Sequence, residues 1–320
     1  MTLHSEAGAR AASEAVGTTT NDRYALGGYA LAAAGALLFS IKGILVKLAY
    51  LEGVDAETLL ALRMAITLPV YILVGLLAVR AAKTNGSPLP NAGLVLKAAL
   101  VGILGYWASG ILDFKGLELI TAQFERLILF TYPLFVVLIG AAFFGQRVNR
   151  NAILAFLVSY AGLALVFTRN LSTIGESAIL GGAFVLAAAI TFALYQILAK
   201  GLIGAIGSSL FTCIAMFAAA LAAVLHFVAI RPLESAFVSP YVFGLAFTLA
   251  IGGTVVPAFL LNAALQRISA QMNAVIGMLS PIATIALAVV FLSEPLNTVD
   301  LAGAALVIAG IGAFSLASRR

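Results

Sequence analysis

Ten long apolar runs separated by mostly short polar connections dominate the sequence. A helix that rises about 1.5 Å per residue needs roughly 20 residues to cross the hydrocarbon core of a bilayer, so runs of about this length predict transmembrane helices. Apolar residues make up 62% of the chain and charged residues only 10%, against about 45–50% and about 25% in soluble domains. We therefore predict an all-α integral membrane protein. The ten predicted spans run roughly over residues 25–48, 57–79, 94–116, 121–144, 152–168, 178–200, 208–229, 240–263, 270–292 and 299–317.

The positive charges between the runs predict which way the chain crosses the membrane, because Lys and Arg concentrate in cytoplasmic connections. If the N-terminus is cytoplasmic, eleven of the 18 Lys and Arg residues fall at cytoplasmic ends, three at outer ends and four within the spans. This distribution predicts a multi-pass protein of the bacterial inner membrane with both termini in the cytoplasm. Residues 1–23 lack the apolar core of a signal peptide, and we expect them to form a disordered cytoplasmic tail.

The chain contains an internal repeat with an offset of 148 residues. Sliding residues 100–165 onto 248–313 aligns the ITAQ motif at residue 120 with the ISAQ motif at residue 268, and Pro133 with Pro281. A second offset, of 153 residues, aligns Lys47 with Lys200 and places Lys42 near Tyr195. Shared Gln and Pro positions are uncommon within apolar runs, so the match indicates a duplicated fold.

Each half of the repeat carries five spans, so the second half must enter the membrane in the opposite sense. The prediction is therefore an inverted-topology repeat, the symmetry on which many secondary transporters are built. Two such halves can exchange conformations, which turns a cavity open to one side into a cavity open to the other. The predicted domains are the tail (1–23), a first five-helix repeat (24–168), a linker (169–177) and a second five-helix repeat (178–318).

Two stretches at matching places carry a family resemblance, AQFERLILFTYPLFVVLIGAAFFGQ in the first half and AQMNAVIGMLSPIATIALAVVFLSEP in the second. Together with the five-plus-five repeat, they make residues 25–317 resemble EamA-type members of the drug/metabolite transporter superfamily. The resemblance implies transport of small metabolites across the inner membrane, often outward, and a central cavity between helices one, three, four, six, eight and nine. Such members typically have a Gly-Glu or similar acidic pair after these helices. Here the second copy has Ser293-Glu294, with Glu294 expected to be a helix-end or loop residue, and the first has Gly145-Gln146.

Ionisable residues from separate helices of the first half fall at one depth near the outer face. Lys42, Arg63, Glu125 and Arg126 lie within predicted spans, about one or two turns from their outer ends. The aligned positions of the second half are uncharged. A charge inside the bilayer costs at least about 2.5–3.5 kcal/mol on insertion scales, so these residues require partners or a water-filled cavity. Asp113, which lies near a helix end beside a lysine, is instead expected to be a solvated residue.

Two interpretations of this layer remain open. In the structural interpretation, Lys42 and Arg63 extend to the outer interface, and Glu125 pairs with Arg63 or Arg126 as a clasp between helices. In the functional interpretation, the layer lines the mouth of the cavity. Glu125 then carries a proton or binds a substrate amine, while Lys42, Arg63 or Arg126 binds a substrate carboxylate. Together these groups would suit a zwitterion such as an amino acid.

Two prolines occupy equivalent mid-membrane positions in spans four and nine. Pro133 and Pro281 each remove a backbone hydrogen bond and leave a carbonyl group for a neighbour or a cavity. They therefore point to the transport path, with a simple packing kink as the alternative. The predicted substrate and proton pathway also includes polar and aromatic residues on the cavity helices: Trp107, Tyr132, Tyr195, Gln196 and Asn273.

Several other functions are disfavoured by the sequence. Cys213 is the only cysteine and the two histidines are far apart, so we expect no metal site and no cofactor. The chain lacks the phosphate-binding motif G-x-x-x-x-G-K-[ST] and the basic face of a nucleic-acid-binding protein. We expect a secondary transporter rather than an enzyme, one that exports amino acids or related amphipathic organic ions by alternating access. Its partners would be a small-molecule substrate and the lipid bilayer. Proton coupling, uncoupled facilitation and a homodimer are open alternatives, and a membrane scaffold or an intramembrane enzyme fits less well.

Overall fold

The computed structural model describes residues 3–86, 88–144, 150–265, 267–268, 276–277 and 279–317. Within those ranges the chain is helical and contains no strand. Eight spans in this part of the chain are long and apolar enough to cross a membrane, and two shorter apolar helices lie at Leu279–Leu292 and Thr298–Ala313. Together they give the ten spans expected from the sequence, so the predicted all-α membrane fold is confirmed.

Where the structure describes it, the first half contains seven α-helices: α1 (Leu3–Leu51), α2 (Ala56–Thr84), α3 (Ala92–Gly102), α4 (Ser109–Leu119), α5 (Ala122–Leu129), α6 (Tyr132–Phe144) and α7 (Arg150–Ile174). Spans one, two and five are α1, α2 and α7. Span three joins α3 to α4 through a π-helical turn at Ile103–Ala108. Span four is broken between α5 and α6.

The described part of the second half contains six α-helices: α8 (Glu176–Ile206), α9 (Ser208–Ile230), α10 (Pro240–Ala250), α11 (Val256–Leu265), α12 (Leu279–Leu292) and α13 (Thr298–Ala317). Spans six and seven are α8 and α9, and a short 3₁₀ turn at Leu233–Ala236 lies in the connection after α9. Span eight joins α10 to α11 through a π-helical turn at Ile251–Val255. Spans nine and ten include α12 and α13.

Two predicted segments differ from the structure. α1 begins at Leu3, so residues 3–23, which we expected to be disordered, have a helical backbone. Five alanines and no proline in this stretch favour a helix. The linker predicted at 169–177 shrinks to Gly175, because α7 continues to Ile174 and α8 begins at Glu176. Gly175 has φ 62, which glycine adopts without strain.

A π-helical turn interrupts the third helix of each half at the same place. The turns at Ile103–Ala108 and Ile251–Val255 begin 148 residues apart, which is the offset of the sequence repeat. A Cβ on Gly105 would lie 2.3 Å from the ring of Tyr195, and a Cβ on Gly253 would lie 4.0 Å from the Cα of Lys42. Since Lys42 and Tyr195 are aligned residues, each glycine packs on the first helix of the opposite half. This reciprocal packing agrees with the inverted repeat.

Spans five and ten pack on each other through small residues. A Cβ on Gly162 would lie 2.5 Å from the carbonyl oxygen of Gly303, and a Cβ on Gly303 would lie 2.7 Å from that of Gly162. The Ser159 hydroxyl donates to Val307 O at 3.4 Å. Glycine lets two helix backbones approach without an intervening side chain. These small residues therefore join the two halves within one chain.

The largest apolar core encloses the region where the sequence places buried charges. It packs α1 and α2 against α4, α9 and α10. Leu59, Met64, Phe114 and Leu117 in this core are fully buried. Arg63, which lies between Leu59 and Met64 in sequence, and Asp113, which directly precedes Phe114, are buried beside these residues.

Candidate substrate and proton site

Five ionisable residues of the first half are buried close together, and we call Lys42, Arg63, Asp113, Glu125 and Arg126 the charged cluster. Lys42 Nζ on α1 forms an ion pair with Asp113 Oδ2 on α4 and lies 3.9 Å from Glu125 Oε1 on α5. Glu125 is fully buried, and Lys42 is 9% exposed. Burying an ion costs several kcal/mol, which only close, well-oriented partners offset. The position of Lys42 between two carboxylates provides such partners.

The turn between α4 and α5 positions Glu125. Ile120 has an extended backbone with φ −123 and ψ 167, and the Thr121 hydroxyl accepts a hydrogen bond from the Phe124 N–H at 3.2 Å. Glu125 therefore lies in the first turn of α5, where the helix dipole favours a carboxylate. Gly43 on α1 faces this carboxylate, since a Cβ there would be in van der Waals contact with Glu125 Oε2 at 3.5 Å.

The two arginines of the charged cluster have partners other than carboxylates. Arg126 Nη2 donates to the carbonyl oxygen of Phe39 on α1 at 3.0 Å. The Cζ of Arg63 lies 4.8 Å from the centroid of the Phe114 ring, a cation–π geometry. Phe114 follows Asp113 directly in α4, so Arg63 lies beside the Lys42–Asp113 pair. The cluster thus joins α1, α2, α4 and α5.

Four expectations about these charges are wrong. The described partner of Glu125 is Lys42, not Arg63 or Arg126, because Lys42 lies on the α1 surface that packs against α5. Lys42 does not extend to the interface, and Asp113 is not solvated; the two neutralise each other inside the bundle. Arg63 is also buried, over an aromatic ring. Depth along a helix was read correctly from the sequence, but the direction in which each side chain points was not.

Several polar atoms of the charged cluster are buried with no hydrogen-bond partner in the described part of the chain. They are Asp113 Oδ1, both carboxylate oxygens of Glu125, and the Nε atoms of Arg63 and Arg126. Buried polar atoms are usually hydrogen-bonded, since an unsatisfied one costs about 1–3 kcal/mol. The cluster therefore offers free acceptors and free donors side by side. Such a set suits a small ligand with an amine and an acid group, or a proton that moves between the two carboxylates.

A second group of side chains joins the two halves through aromatic contacts, and we call Tyr106, Tyr132, Phe192 and Tyr195 the aromatic cluster. The hydroxyl oxygens of Tyr106 and Tyr195 lie 2.9 Å apart. The Tyr132 ring packs edge-on against Phe192 at 5.0 Å, and Phe192 stacks on Tyr195 at 5.5 Å. Since Tyr106 and Tyr132 belong to the first half and the other two to the second, this cluster spans the interface between the halves.

Pro133 lies at a break in span four. α5 ends at Leu129 and α6 begins at Tyr132. Between them, Thr131 donates twice to Ile128 O, through its N–H at 3.0 Å and its hydroxyl at 2.6 Å. Because proline has no N–H, the helical bond back to Leu129 O cannot form. The break therefore follows from the sequence and places Tyr132 at the start of a new helix.

Pro281 is the third residue of α12 and is buried. One turn later, the Thr284 hydroxyl donates to the carbonyl oxygen of Ser40 on α1 at 3.1 Å. Ser280 Oγ is buried without a described partner. α12 thus contacts α1 at Ser40, the residue after Phe39, whose carbonyl oxygen accepts the hydrogen bond from Arg126. Thr284 was not among the residues predicted from the sequence, although a hydroxyl about one turn after a proline within a span is a signal that could have identified it.

Trp107 and Gln196 are not brought into either cluster. Trp107 packs edge-on against His226, with ring centroids 5.4 Å apart. Gln196 is exposed on α8. Asn273 lies outside the described residues.

The connections that follow odd-numbered spans all lie on one membrane face, which we call the α1–α2 face, and ion pairs bridge the two halves there. Glu57 Oε1 binds Lys115 Nζ at 2.7 Å, and its Oε2 binds Arg231 Nη2 at 3.0 Å. Arg231 Nε also lies 3.4 Å from Asp55 Oδ1. The hydrogen bond to Glu57 raises the pKa of the Arg231 guanidinium. Because Arg231 belongs to the second half, these contacts join the halves at this face.

Similarity to known proteins agrees with the two-repeat structure. The model of the EamA-like transporter family matches residues 26–168 and 179–316. A Bacillus subtilis (strain 168) protein named uncharacterized transporter YcbK is 29% identical over 279 residues, which are 84% of this chain and 86% of that protein. One crystal structure superposes with a TM-score of 0.62 at 18% identity, over 92% of this chain and 98% of the other. At that identity the superposition shows a common fold alone.

Proposed function

We propose that this chain, which belongs to the EamA-like transporter family, is a secondary transporter that exports small metabolites with both an amine and an acid group. Membership of the family makes the chain a multi-pass membrane transporter. Three features are proposed beyond this. The first is the substrate class, of which amino acids are the simplest members. The others are the outward direction of transport and alternating access between the two sides of the membrane.

The unsatisfied polar atoms of the charged cluster carry this proposal. Neither carboxylate oxygen of Glu125 accepts a hydrogen bond from a described residue, and Oε1 lies 3.9 Å from Lys42 Nζ, so this carboxylate can still accept a hydrogen bond from a substrate ammonium group or take up a proton. Arg63 and Arg126 each have a free Nε–H donor that suits a substrate carboxylate. With all groups ionised, the cluster holds three cations and two carboxylates, so a bound acid group would neutralise the excess charge. The Lys42–Asp113 pair holds the cluster together from α1 and α4.

The aromatic cluster would complete the site for an amphipathic substrate. Tyr106 and Tyr132 from the first half and Tyr195 from the second present large apolar surfaces with polar hydroxyl groups. Pro133 lies beside the break between α5 and α6, and Pro281 lies in the first turn of α12, and at such prolines a helix can change its angle. An inverted repeat then provides two related states, one open to each side.

We further propose that the protein resides in the bacterial inner membrane with both termini in the cytoplasm, as the charge distribution predicts. This placement puts Lys83 in the cytoplasm and Arg231 outside. Single cysteines at these positions, in a Cys213→Ala background, should react with a membrane-impermeant reagent from opposite sides of the membrane. Reaction of both from the same side would contradict the topology.

Transport by the purified chain in liposomes tests the function. Labelled amino acids, simple amines and simple carboxylic acids should be compared, with and without a pH gradient. We expect zwitterions to be moved best, and a pH gradient to drive them if Glu125 carries the proton. Glu125→Gln should abolish the response to the gradient, whereas Glu52→Gln, at an exposed carboxylate, should not.

Two outcomes would redirect this proposal. Movement of the same solutes without any response to pH in the wild-type chain would identify an uncoupled facilitator. No movement of any solute by a folded chain would argue against transport of this substrate class.

A further inference from the structure

The carboxylate of Glu294 caps a helix in the opposite half of the chain. Its two oxygens accept hydrogen bonds from the backbone N–H groups of Ala122 and Gln123, at 2.8 and 3.2 Å. These are the first two residues of α5. The third N–H, from Phe124, already binds the Thr121 hydroxyl. α5 thus relies on the second half for two of the donors that every helix leaves free at its N-terminus.

The backbone after α12 directs Glu294 towards α5. Ser293 has φ 53, and among the described residues no other non-glycine residue has a positive φ. Such a conformation is unfavourable for a residue with a side chain, so it persists only where the surrounding contacts require it. The Glu294 N–H donates to Ala288 O at 3.2 Å and closes the turn. The strained residue is therefore followed directly by the carboxylate that holds α5.

This contact is better shielded from solvent than the link between Glu57 and Arg231 on the same face. Glu294 is 8% exposed, whereas the Arg231 side chain that binds Glu57 is 36% exposed. A carboxylate bound to two N–H groups at a helix N-terminus gains from charge-assisted hydrogen bonds and from the helix dipole. Water and salt weaken such a contact less when it is buried.

The two helices that Glu294 joins both border the proposed site. α5 carries Glu125 and Arg126, and α12 carries Ser280 and Pro281. The contact lies on the α1–α2 face. If a cavity opens there between α5 and α12, the start of α5 separates from the end of α12, and that separation breaks both hydrogen bonds of Glu294.

We infer that Glu294 is a latch that holds the α1–α2 face closed in this conformation and is released when that face opens. The inference rests on the proposed alternating access and names the contact that opening must break. Glu294 touches neither cluster, so it is a positioning residue that sets how often one conformation occurs. Removing its charge shifts the conformational equilibrium towards the state open at this face.

Thiol labelling of the full-length chain tests the latch directly. In a Cys213→Ala background, Ala288→Cys places a thiol on α12, at a position that is fully buried behind Glu294. A membrane-impermeant maleimide applied to the α1–α2 face of cells or inverted vesicles then reports how often this face opens. Glu294→Gln, which uses the residue found at the aligned position 146, should speed labelling about tenfold. Glu52→Gln removes an exposed carboxylate on the same face and should leave the rate unchanged.

A second variant covers the case in which Glu294→Gln does not fold. Glu294→Asp keeps the charge on a shorter side chain and should speed labelling by a smaller factor, about two- to threefold. Labelling at the wild-type rate in folded Glu294 variants would overturn the latch, even if the wild-type chain transports amino acids. Faster labelling in a chain whose wild type moves none of the solutes would support the latch and reject the proposed substrate class.

Discussion

Gly105 lies directly against the ring of Tyr195, and no methyl group fits between them. A Cβ at this position would lie 2.3 Å from two ring carbons of Tyr195. Gly105→Ala should therefore displace the ring and break its 2.9 Å hydrogen bond to Tyr106. We expect a loss of about 1–3 kcal/mol in stability, as for other overpacked cores, and a large loss of transport. Thermal unfolding in detergent and uptake into liposomes measure the two effects.

The second π-helical turn provides the matched control for this substitution. A Cβ on Gly252 would meet its nearest neighbour, Thr248 Cγ2, at 3.8 Å, which is ordinary van der Waals contact. Gly252→Ala should therefore fold and transport nearly as the wild type does. Equal losses in the two variants would show that glycine is needed for the π-helical turn itself, rather than for contact with Tyr195.

Removing Lys42 should strongly destabilise the protein. Lys42→Met leaves Asp113 and Glu125 buried without their shared cation, and breaking a buried pair in this way costs about 3–5 kcal/mol. The double variant Lys42→Met/Asp113→Asn removes one of these two carboxylate charges and should recover part of that loss. Unfolding of the wild type, both single variants and the double variant gives the coupling energy. A coupling energy near zero would mean that the interaction between Lys42 and Asp113 does not stabilise the fold.

Moving α7 and α13 apart should lower the stability of the folded chain without changing its oligomeric state. In Gly162→Val, the new Cβ would lie 2.5 Å from Gly303 O. We therefore expect a loss of about 1–3 kcal/mol in the free energy of unfolding. Gly201→Ala is the control, since no atom lies within 4 Å of a Cβ at that position. Size-exclusion chromatography with light scattering measures association. If Gly162→Val dissociated an oligomer while the melting temperature stayed unchanged, this surface would instead be an interface between chains.

The ion pair between Arg231 and Glu57 should contribute little to stability. Arg231 is more than one-third exposed, so solvent screens the pair, and exposed pairs are worth about 0–1 kcal/mol. Arg231→Gln should lower the melting temperature slightly at low salt and less at high salt. Glu57→Gln should cost more, because Glu57 is buried and binds both Lys115 and Arg231. The reverse order of the two effects would contradict this assignment.

The membrane fold could be predicted because the sequence features that indicate it are local and recur along the chain. Apolar runs report span length, and the aligned Pro133 and Pro281 report the duplication. The two π-helical turns were not predicted, since hydrophobic periodicity carries no clear mark of a single wide turn. The helical backbone of residues 3–23 was missed because a polar, alanine-rich composition is compatible with both a tail and a helix.

The sequence predicted the site in part. Counting residues from the ends of the spans placed Lys42, Arg63, Glu125 and Arg126 at one depth, and the structure buries all four. Their partners could not be predicted, because depth does not determine the rotation of a helix about its axis. Asp113 was misassigned for this reason. Phe192 links Tyr132 to Tyr195, but its side chain has no polar atom. The sequence indicated its role only through its spacing of three residues from Tyr195.

The direction of the Asp113 side chain also depends on the number of residues in the π-helical turn before α4. Each residue of an α-helix rotates the chain by about 100°, and a π-helical turn holds an extra residue that offsets everything after it by this angle. Asp113 meets Lys42 because it lies beyond Ile103–Ala108. Losing a single residue there other than Tyr106 would turn the carboxylate about a quarter-circle away from the ammonium group, although Lys42 and Asp113 would both remain in the sequence. A deletion in this short stretch should therefore disrupt the charged cluster without substituting any of its members.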